Sequence, residues 1–325
     1  MALPRAPRRI EEVDWVNYLV RGCTCTDTLL VRKPEPNAVN LYQLLGPEAS
    51  EFVRELVPAW LLPLLAVVTE LGNPGLLMAV FVLDYWFGDH RRGAHAFGIA
   101  VAGFALITAL KYYFLAPRPP SEVAFVATGG YSFPSGHATS AAIGYGILAY
   151  DGEIGEAWQR YGLAGALVAI VAFSRVALGV HFVRDVVAGV AVGLAFVALA
   201  VAATKHDPLR AFVAAVAVAV AAVVVSGASQ DGVVTVGLAV GAVVSWPVLR
   251  PIPEIARRRN RAVLGVLVLP LVLGVGYLST LEATGSLLAF GLSALLGATI
   301  LAIPEAASFY EMRRRDGIES GDASA

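Results

Sequence analysis

The sequence predicts an all-α, polytopic transmembrane helical bundle, and three observations carry that prediction. Of 325 residues, 57% are apolar and only 15% are charged, against about 25% charged in soluble domains. The apolar residues gather into stretches close to the roughly 20 that a helix needs to cross a bilayer. No stretch alternates apolar and polar residues as the strands of an outer-membrane barrel do. A formal net charge of −1 argues against a nucleic-acid binder, which would show a basic excess. So apolar a chain also cannot be disordered.

Ten candidate spans follow in order, at 57–71, 74–89, 94–116, 135–150, 161–180, 185–204, 210–228, 232–249, 262–281 and 286–304. Gly72-Asn73-Pro74-Gly75 is a strong turn signal between the first two. Residues 1–56 hold no span, and no apolar run follows the basic start, so a cleaved signal peptide is not expected. Ile10, Val13, Val16 and Leu19 recur at helical spacing. That spacing fits an amphipathic helix on the membrane surface or a short helix packed on the bundle. Cys23 and Cys25 offer two soft ligands where a structural zinc site wants four. They read as reduced thiols, and neither a metal nor a cofactor is expected. Residues 307–325 form a polar tail.

The basic residues are sorted by loop. Twenty of the 24 Lys and Arg fall before the first span, in alternate loops such as Arg91-Arg92 and Arg257-Arg258-Arg259, or in the tail. Positive loops stay cytoplasmic, so the expectation is ten spans with both termini in the cytoplasm. Only Lys111, Arg118, Arg175 and Arg184 fall on the opposite face.

Those four cations sit in three linked segments: Lys111 to Pro119 closing the third span, Pro134-Ser135-Gly136-His137 opening the fourth, and Ser174 to Asp185 joining the fifth and sixth. Fixed positive charge beside a bilayer is costly unless it meets an anion. Arg118 and Arg175 can grip phosphate through paired hydrogen bonds, and Lys111 acts as a point charge. Ser135 and Gly136 stand at a helix start, where unpaired backbone N–H groups favour a phosphate oxygen. His181 and Asp185 are four residues apart and share a helix face. Asp185 can accept one ring N–H of His181, which leaves the other nitrogen to attack phosphorus. His137 can protonate the departing alkoxide and then activate water. Gly179 would let the chain turn so that Arg175 and His181 reach one pocket.

The patterns K-x6-R-P, P-S-G-H and S-R-x5-H-x3-D, at 111–119, 134–137 and 174–185, resemble the three signatures of the type 2 phosphatidic acid phosphatase family. The resemblance spans about residues 57–204. It implies a six-helix phosphatase core over 57–206, and the hydropathy pattern adds about four extra C-terminal spans over 207–306. It implies His181 as nucleophile, Asp185 as its orienting partner, and His137 as general acid. Lys111, Arg118, Ser135, Gly136, Ser174 and Arg175 would hold the phosphate. It implies a metal-independent membrane hydrolase acting on a lipid phosphomonoester or isoprenyl diphosphate at the extracytoplasmic surface. A lipid phosphotransferase with the same site stays open, as does a phosphatase core fused to a transport or flipping module. The resemblance says nothing about the last four spans.

The remaining histidines, His90, His95 and His206, read as solvated loop residues. Arg184 reads as facing lipid headgroups. Gly189 and Gly193 recur at i, i+4 and read as a close-packing stripe, with Gly237 and Gly241 a weaker echo.

Overall fold

The computed structural model describes residues 45–153, 155–249 and 268–322. The proposed amphipathic segment, the two cysteines and the Arg257–Arg259 run lie outside them. Among the described residues the architecture is all-helical, as the hydropathy pattern predicts. The helices are α1 (Pro47–Glu55), α2 (Leu62–Val68), α3 (Pro74–Phe87), α4 (His90–Phe114), α5 (Gly136–Asp151), α6 (Ala157–Ala177), α7 (Val183–Thr204), α8 (Pro208–Ser226), α9 (Gln230–Ser245), α10 (Leu269–Thr280) and α11 (Ser286–Asp322). Six of them are long and apolar enough to cross a membrane.

Local chemistry sets the helix starts. Asn73 caps α3 by accepting the Gly75 N–H at 2.8 Å, with Pro74 in the first turn. Asp89 caps α4 by accepting the Arg92 N–H at 2.8 Å. Asp207 does the same for α8 through the Arg210 N–H at 2.9 Å. The Asp89 cap starts α4 four residues before the predicted span. His90 and His95 therefore belong to a helix and not to a loop, and His95 is buried.

The first predicted span is not a straight crossing. Helix α1 and the segment Ala59–Gly72 meet at 93°, with Pro58 at the break and Pro63 in the first turn of α2. This segment stays at one end of the bundle. The Leu45 carbonyl accepts the Arg184 N–H at 3.0 Å, and the Ser50 hydroxyl accepts the Val183 N–H at 3.0 Å. Leu65 packs with Leu178 and Val180, and the Gly72 carbonyl accepts the Ser140 hydroxyl. Helix α11 runs from that same end to the other, where the carbonyls of Ile300 and Leu301 accept Trp86 Nε1–H and the Tyr85 hydroxyl at 2.9 and 2.8 Å. Leu45 and Leu301 thus lie at opposite ends. This departs from the even number of crossings the hydropathy pattern suggests.

In a bilayer the helices gain little from leaving lipid, so small residues and close backbone approach hold them together. A Cβ on Gly193 would stand 2.7 Å from Ala142 Cβ and 2.8 Å from the Thr139 carbonyl oxygen, so α7 lies against α5. Helix α8 packs along α4, and α9 packs along α11. One buried cluster joins Phe81, Trp86, Phe97 and Ile143 to Phe212, Leu238 and Ile300. The helices after residue 206 therefore share a core with those before it.

Candidate active site

Three loops and helix ends meet at the end of the bundle where α4 and α6 stop and α5 and α7 start. Helix α4 ends at Leu115, whose φ of 49° turns the chain out of the helix and leaves Lys111 in the last turn. Helix α5 starts after Ser135, so Gly136 and His137 lie in its first turn with N–H groups that lack intrahelical partners. Lys111 Nζ would stand 3.4 Å from a Cβ added to Gly136. The ammonium thus lies against the positive end of α5.

The turn from α6 to α7 depends on Gly179. Its φ is +72°, and a Cβ there would collide with the Val123 carbonyl oxygen. The Leu178 carbonyl accepts the Phe125 N–H at 2.9 Å, which docks the α4–α5 loop onto this turn. Arg175 and His181 are thereby brought to one cavity, as the sequence pattern requires.

His181 and Asp185 are each 1% exposed. Arg118 Nη1 lies 3.2 Å from His181 Nε2. A guanidinium can only donate, so Nε2 is the acceptor and Nδ1 carries the ring hydrogen. Nδ1 lies 3.5 Å from Asp185 Oδ2 and 3.2 Å from Ser132 Oγ. The Ser132 hydroxyl donates to Asp185 Oδ2 at 2.5 Å, and the Phe182 N–H donates to the same oxygen at 3.0 Å. Asp185 thus lies beside His181, and Ser132 bridges them. Sequence reasoning missed Ser132; its only signal was its place three residues before Ser135.

Burial holds the His181 ring below the ordinary histidine value, at about 4. The hydrogen bond to Asp185 opposes that shift, and the charges of Arg118 and Arg175 reinforce it. The imidazole is neutral at pH 7, the state a nucleophile needs.

Arg118 also donates Nε–H to the carbonyls of Gly129 and Gly130 at 3.0 and 3.1 Å, and Nη1–H to the Val180 carbonyl at 3.0 Å. It therefore clamps two loops beside His181. Arg175 is 3% exposed and donates to Thr69 Oγ1 at 3.1 Å, a partner more than 100 residues away that no local pattern could reveal. Its Nε and the Ser135 Oγ are buried without a hydrogen-bond partner among the described residues. Such orphaned groups call for an explanation, and for Arg175, which lines the cavity as Ser135 does not, an anion bound in the cavity would provide one. Ser174 is placed otherwise. Its hydroxyl donates to the Val171 carbonyl of its own helix at 2.7 Å, so it is not turned toward the cavity. Arg184 differs from its sequence reading too. Its Nε lies 3.6 Å from Asp185 Oδ1 and its guanidinium stacks on Phe182 at 4.8 Å, bracing the carboxylate.

Lys111, Arg118, Gly136, His137, Arg175 and His181 line one end of a cavity of about 940 Å³. Its other walls come from α3, α4, α9, α10 and α11, through residues such as Leu76, Phe104, Val234, Leu273 and Leu296. Asp231, Thr235 and Thr280 add polar groups from α9 and α10. The Asp231 carboxylate stands within electrostatic reach of Lys111. Over a third of this cavity's lining residues thus come from the helices that follow the motif-bearing core.

The model of the PAP2 superfamily matches residues 93–208, which contain all three motifs. Phosphatidylglycerophosphatase B of Bacillus subtilis (strain 168) is 30% identical over 168 residues, 49% of this chain and 81% of its own length. The crystal structure of a transmembrane PAP2-type phosphatidylglycerolphosphate phosphatase from Bacillus subtilis is 27% identical. It covers 49% of this chain and 83% of its own, with a TM-score of 0.43.

Proposed function

The chain belongs to the PAP2 superfamily and is a multi-pass membrane phosphatase of lipid metabolism; we propose that it cleaves a lipid phosphomonoester through a phosphohistidine on His181. One observation carries this reading most strongly. Three cations, Lys111, Arg118 and Arg175, converge beside a neutral histidine at the head of an apolar cavity, and Arg175 Nε is buried there without a hydrogen-bond partner among the described residues. The cationic end suits the phosphate, and the apolar remainder suits a lipid chain.

In the proposed first step His181 Nε2 attacks phosphorus and the bond from phosphorus to the lipid oxygen breaks. His137 gives the departing alkoxide its proton. Lys111, Arg118 and Arg175, with the N–H groups of Gly136 and His137, stabilise the extra charge on the phosphoryl oxygens. Asp185, through Nδ1–H and Ser132, stabilises the imidazolium that forms. In the second step water gives a proton to His137 and attacks phosphorus. The N–P bond breaks, its electron pair returns to Nε2, and orthophosphate leaves.

The helices after residue 206 belong to the substrate site in this reading, since α9, α10 and α11 wall the cavity. This favours a shared role over a separable transport module. The site end faces away from the cytoplasm. Arg91, Arg92, Arg160, Lys205 and Arg210 all lie in the first turns or at the caps of helices at the opposite end, which suits the positive-inside rule. The relative's name points to phosphatidylglycerophosphate as the first substrate to try.

The test is phosphate release by purified protein from phosphatidylglycerophosphate, phosphatidate and isoprenyl diphosphate in detergent with a chelator present. Release from at least one lipid is expected, together with an acid-labile phosphoprotein signal that is absent in His181→Asn. Full activity in that variant would overturn the proposed nucleophile.

A further inference from the structure

A second cluster of ligating side chains lies at the end of the bundle away from the active site. His95 of α4, Asp151 at the end of α5, and His206 after α7 each bring one ligand atom within 4.8 Å of the others. None of the three belongs to the phosphatase motifs. Their surroundings settle which atoms are presented. His95 is 1% exposed, and its Nε2 lies 2.7 Å from Thr204 Oγ1. The Thr204 hydroxyl already donates to the Ala200 carbonyl at 2.7 Å, so toward His95 it can only accept. His95 Nε2 therefore carries the ring hydrogen, and Nδ1 is a bare lone pair. That Nδ1 is buried without a hydrogen-bond partner among the described residues, as is Asp151 Oδ2.

His206 is held in the same manner. Its Nε2 pairs with the Tyr150 hydroxyl at 3.0 Å, and its ring stacks on Tyr150 at 5.4 Å. Its Nδ1 faces Asp151 Oδ1 at 3.9 Å. The His95 and His206 rings are 5.3 Å apart. Lys205 and His206 both adopt left-handed backbone, with φ of 51° and 56°, which turns the chain back toward α4 and α5. Two imidazoles and a carboxylate thus converge on one point, with no hydrogen-bond donor of their own placed between His95 Nδ1 and Asp151 Oδ2. A buried pair of acceptors is costly unless something positive sits between them.

We propose that His95, Asp151 and His206 bind a divalent transition-metal ion of the Zn²⁺ class. The donor set is two nitrogens and one carboxylate oxygen. It suits Zn²⁺ or Co²⁺, whereas Mg²⁺ and Ca²⁺ prefer all-oxygen shells. Thr204 and Tyr150 are the outer partners that orient the two rings, an arrangement typical of metal-bound histidines. Ligands at about 2.0 Å on a tetrahedron lie roughly 3.3 Å apart, so the ion draws the half-exposed His206 ring inward. Asp84 and Asp207 stand within electrostatic reach and add negative charge. Arg92 pairs with Glu153 at 2.8 Å and donates to the Asp151 carbonyl at 3.0 Å, so one positive charge also stands beside the cluster, partly offset by Glu153. The ion clips α4, α5 and the α7–α8 turn together at the end of the bundle away from the active site.

The test uses full-length protein purified without a polyhistidine tag, stripped with a chelator and titrated with Co²⁺ alone. The expected result is one equivalent bound, with a visible d–d absorption band and a raised melting temperature. His206→Asn, which tolerates the left-handed backbone, should lose both band and stabilisation while phosphatase activity is unchanged. Asp151→Asn should weaken Co²⁺ binding at least tenfold. No stoichiometric band in the parent protein, or an undiminished band in both variants, would overturn the proposal.

Discussion

Helix α7 meets α5 at Gly189 and Gly193, and α9 meets α11 at Gly237 and Gly241. At both contacts a Cβ would strike the neighbouring helix, at Thr139 Oγ1 (2.8 Å) for Gly189 and at the Ala294 carbonyl oxygen for Gly241. The device is the same, but the burden differs. The motif-bearing region buries Arg175, His181 and Asp185. In α9 and α10 the buried polar residues Thr235 and Ser279 are hydroxyls that donate to carbonyls of their own helices. Close packing alone therefore makes a wall. Charge becomes catalytic only where helix ends and loops bring partners to it.

The comparison breaks first, and hardest, at Asp185. Asp185→Asn should cut kcat by about 10⁴-fold, as loss of an orienting carboxylate does elsewhere, with no matching loss of melting temperature. Arg175→Lys should lower kcat/KM by roughly 10²–10³-fold, because a point charge replaces a planar fork in transition-state binding. An equivalent change on the wall, Gly241→Leu, should act through packing instead. It should cost about 1–3 kcal/mol of stability, measured by thermal unfolding in detergent, and the remaining folded protein should keep its kcat. A Gly241→Leu protein that is stable but inactive would show that the wall takes part in chemistry. Ser132→Ala should be milder, about tenfold in kcat, since one hydrogen bond to a charged group is removed.

The smallest effect is in the pH profile. The His181 pKa is lowered from 6.5 to about 4, so the neutral nucleophile persists as the pH falls below 6.5. Protonation removes the lone pair only nearer the lowered value. The acid limb of kcat/KM should accordingly have its midpoint below pH 6.5. A midpoint at or above 6.5 would mean that His181 is not the group controlling it.

The candidate site was largely legible because its geometry is local. His181 and Asp185 lie four residues apart, and Ser135 and Gly136 mark a helix start. Gly179 carries its own signature as a residue that can adopt φ of +72°. What stayed hidden depends on distant partners. Thr69 on Arg175 and Ser132 between His181 and Asp185 follow from how separate segments dock. The first predicted span failed for a related reason. Hydropathy counts apolar residues, but it does not report that Leu65 lies beside Leu178 and Val180 at one end of the bundle. His95 was misread because a cap at Asp89 lengthened α4 backwards.

By itself the sequence determined that the chain is an all-helical membrane protein, and it singled out the motif residues that are proposed to meet phosphate. Those facts rest on composition and on short-range spacing, which the helix period converts directly into geometry. Only the tertiary structure decided what the apolar helices after residue 206 do and where His95, Asp151 and His206 stand. Apolar helices look alike along the chain. The face each one turns to a cavity, and the residue it meets across it, is fixed by packing between segments far apart in sequence.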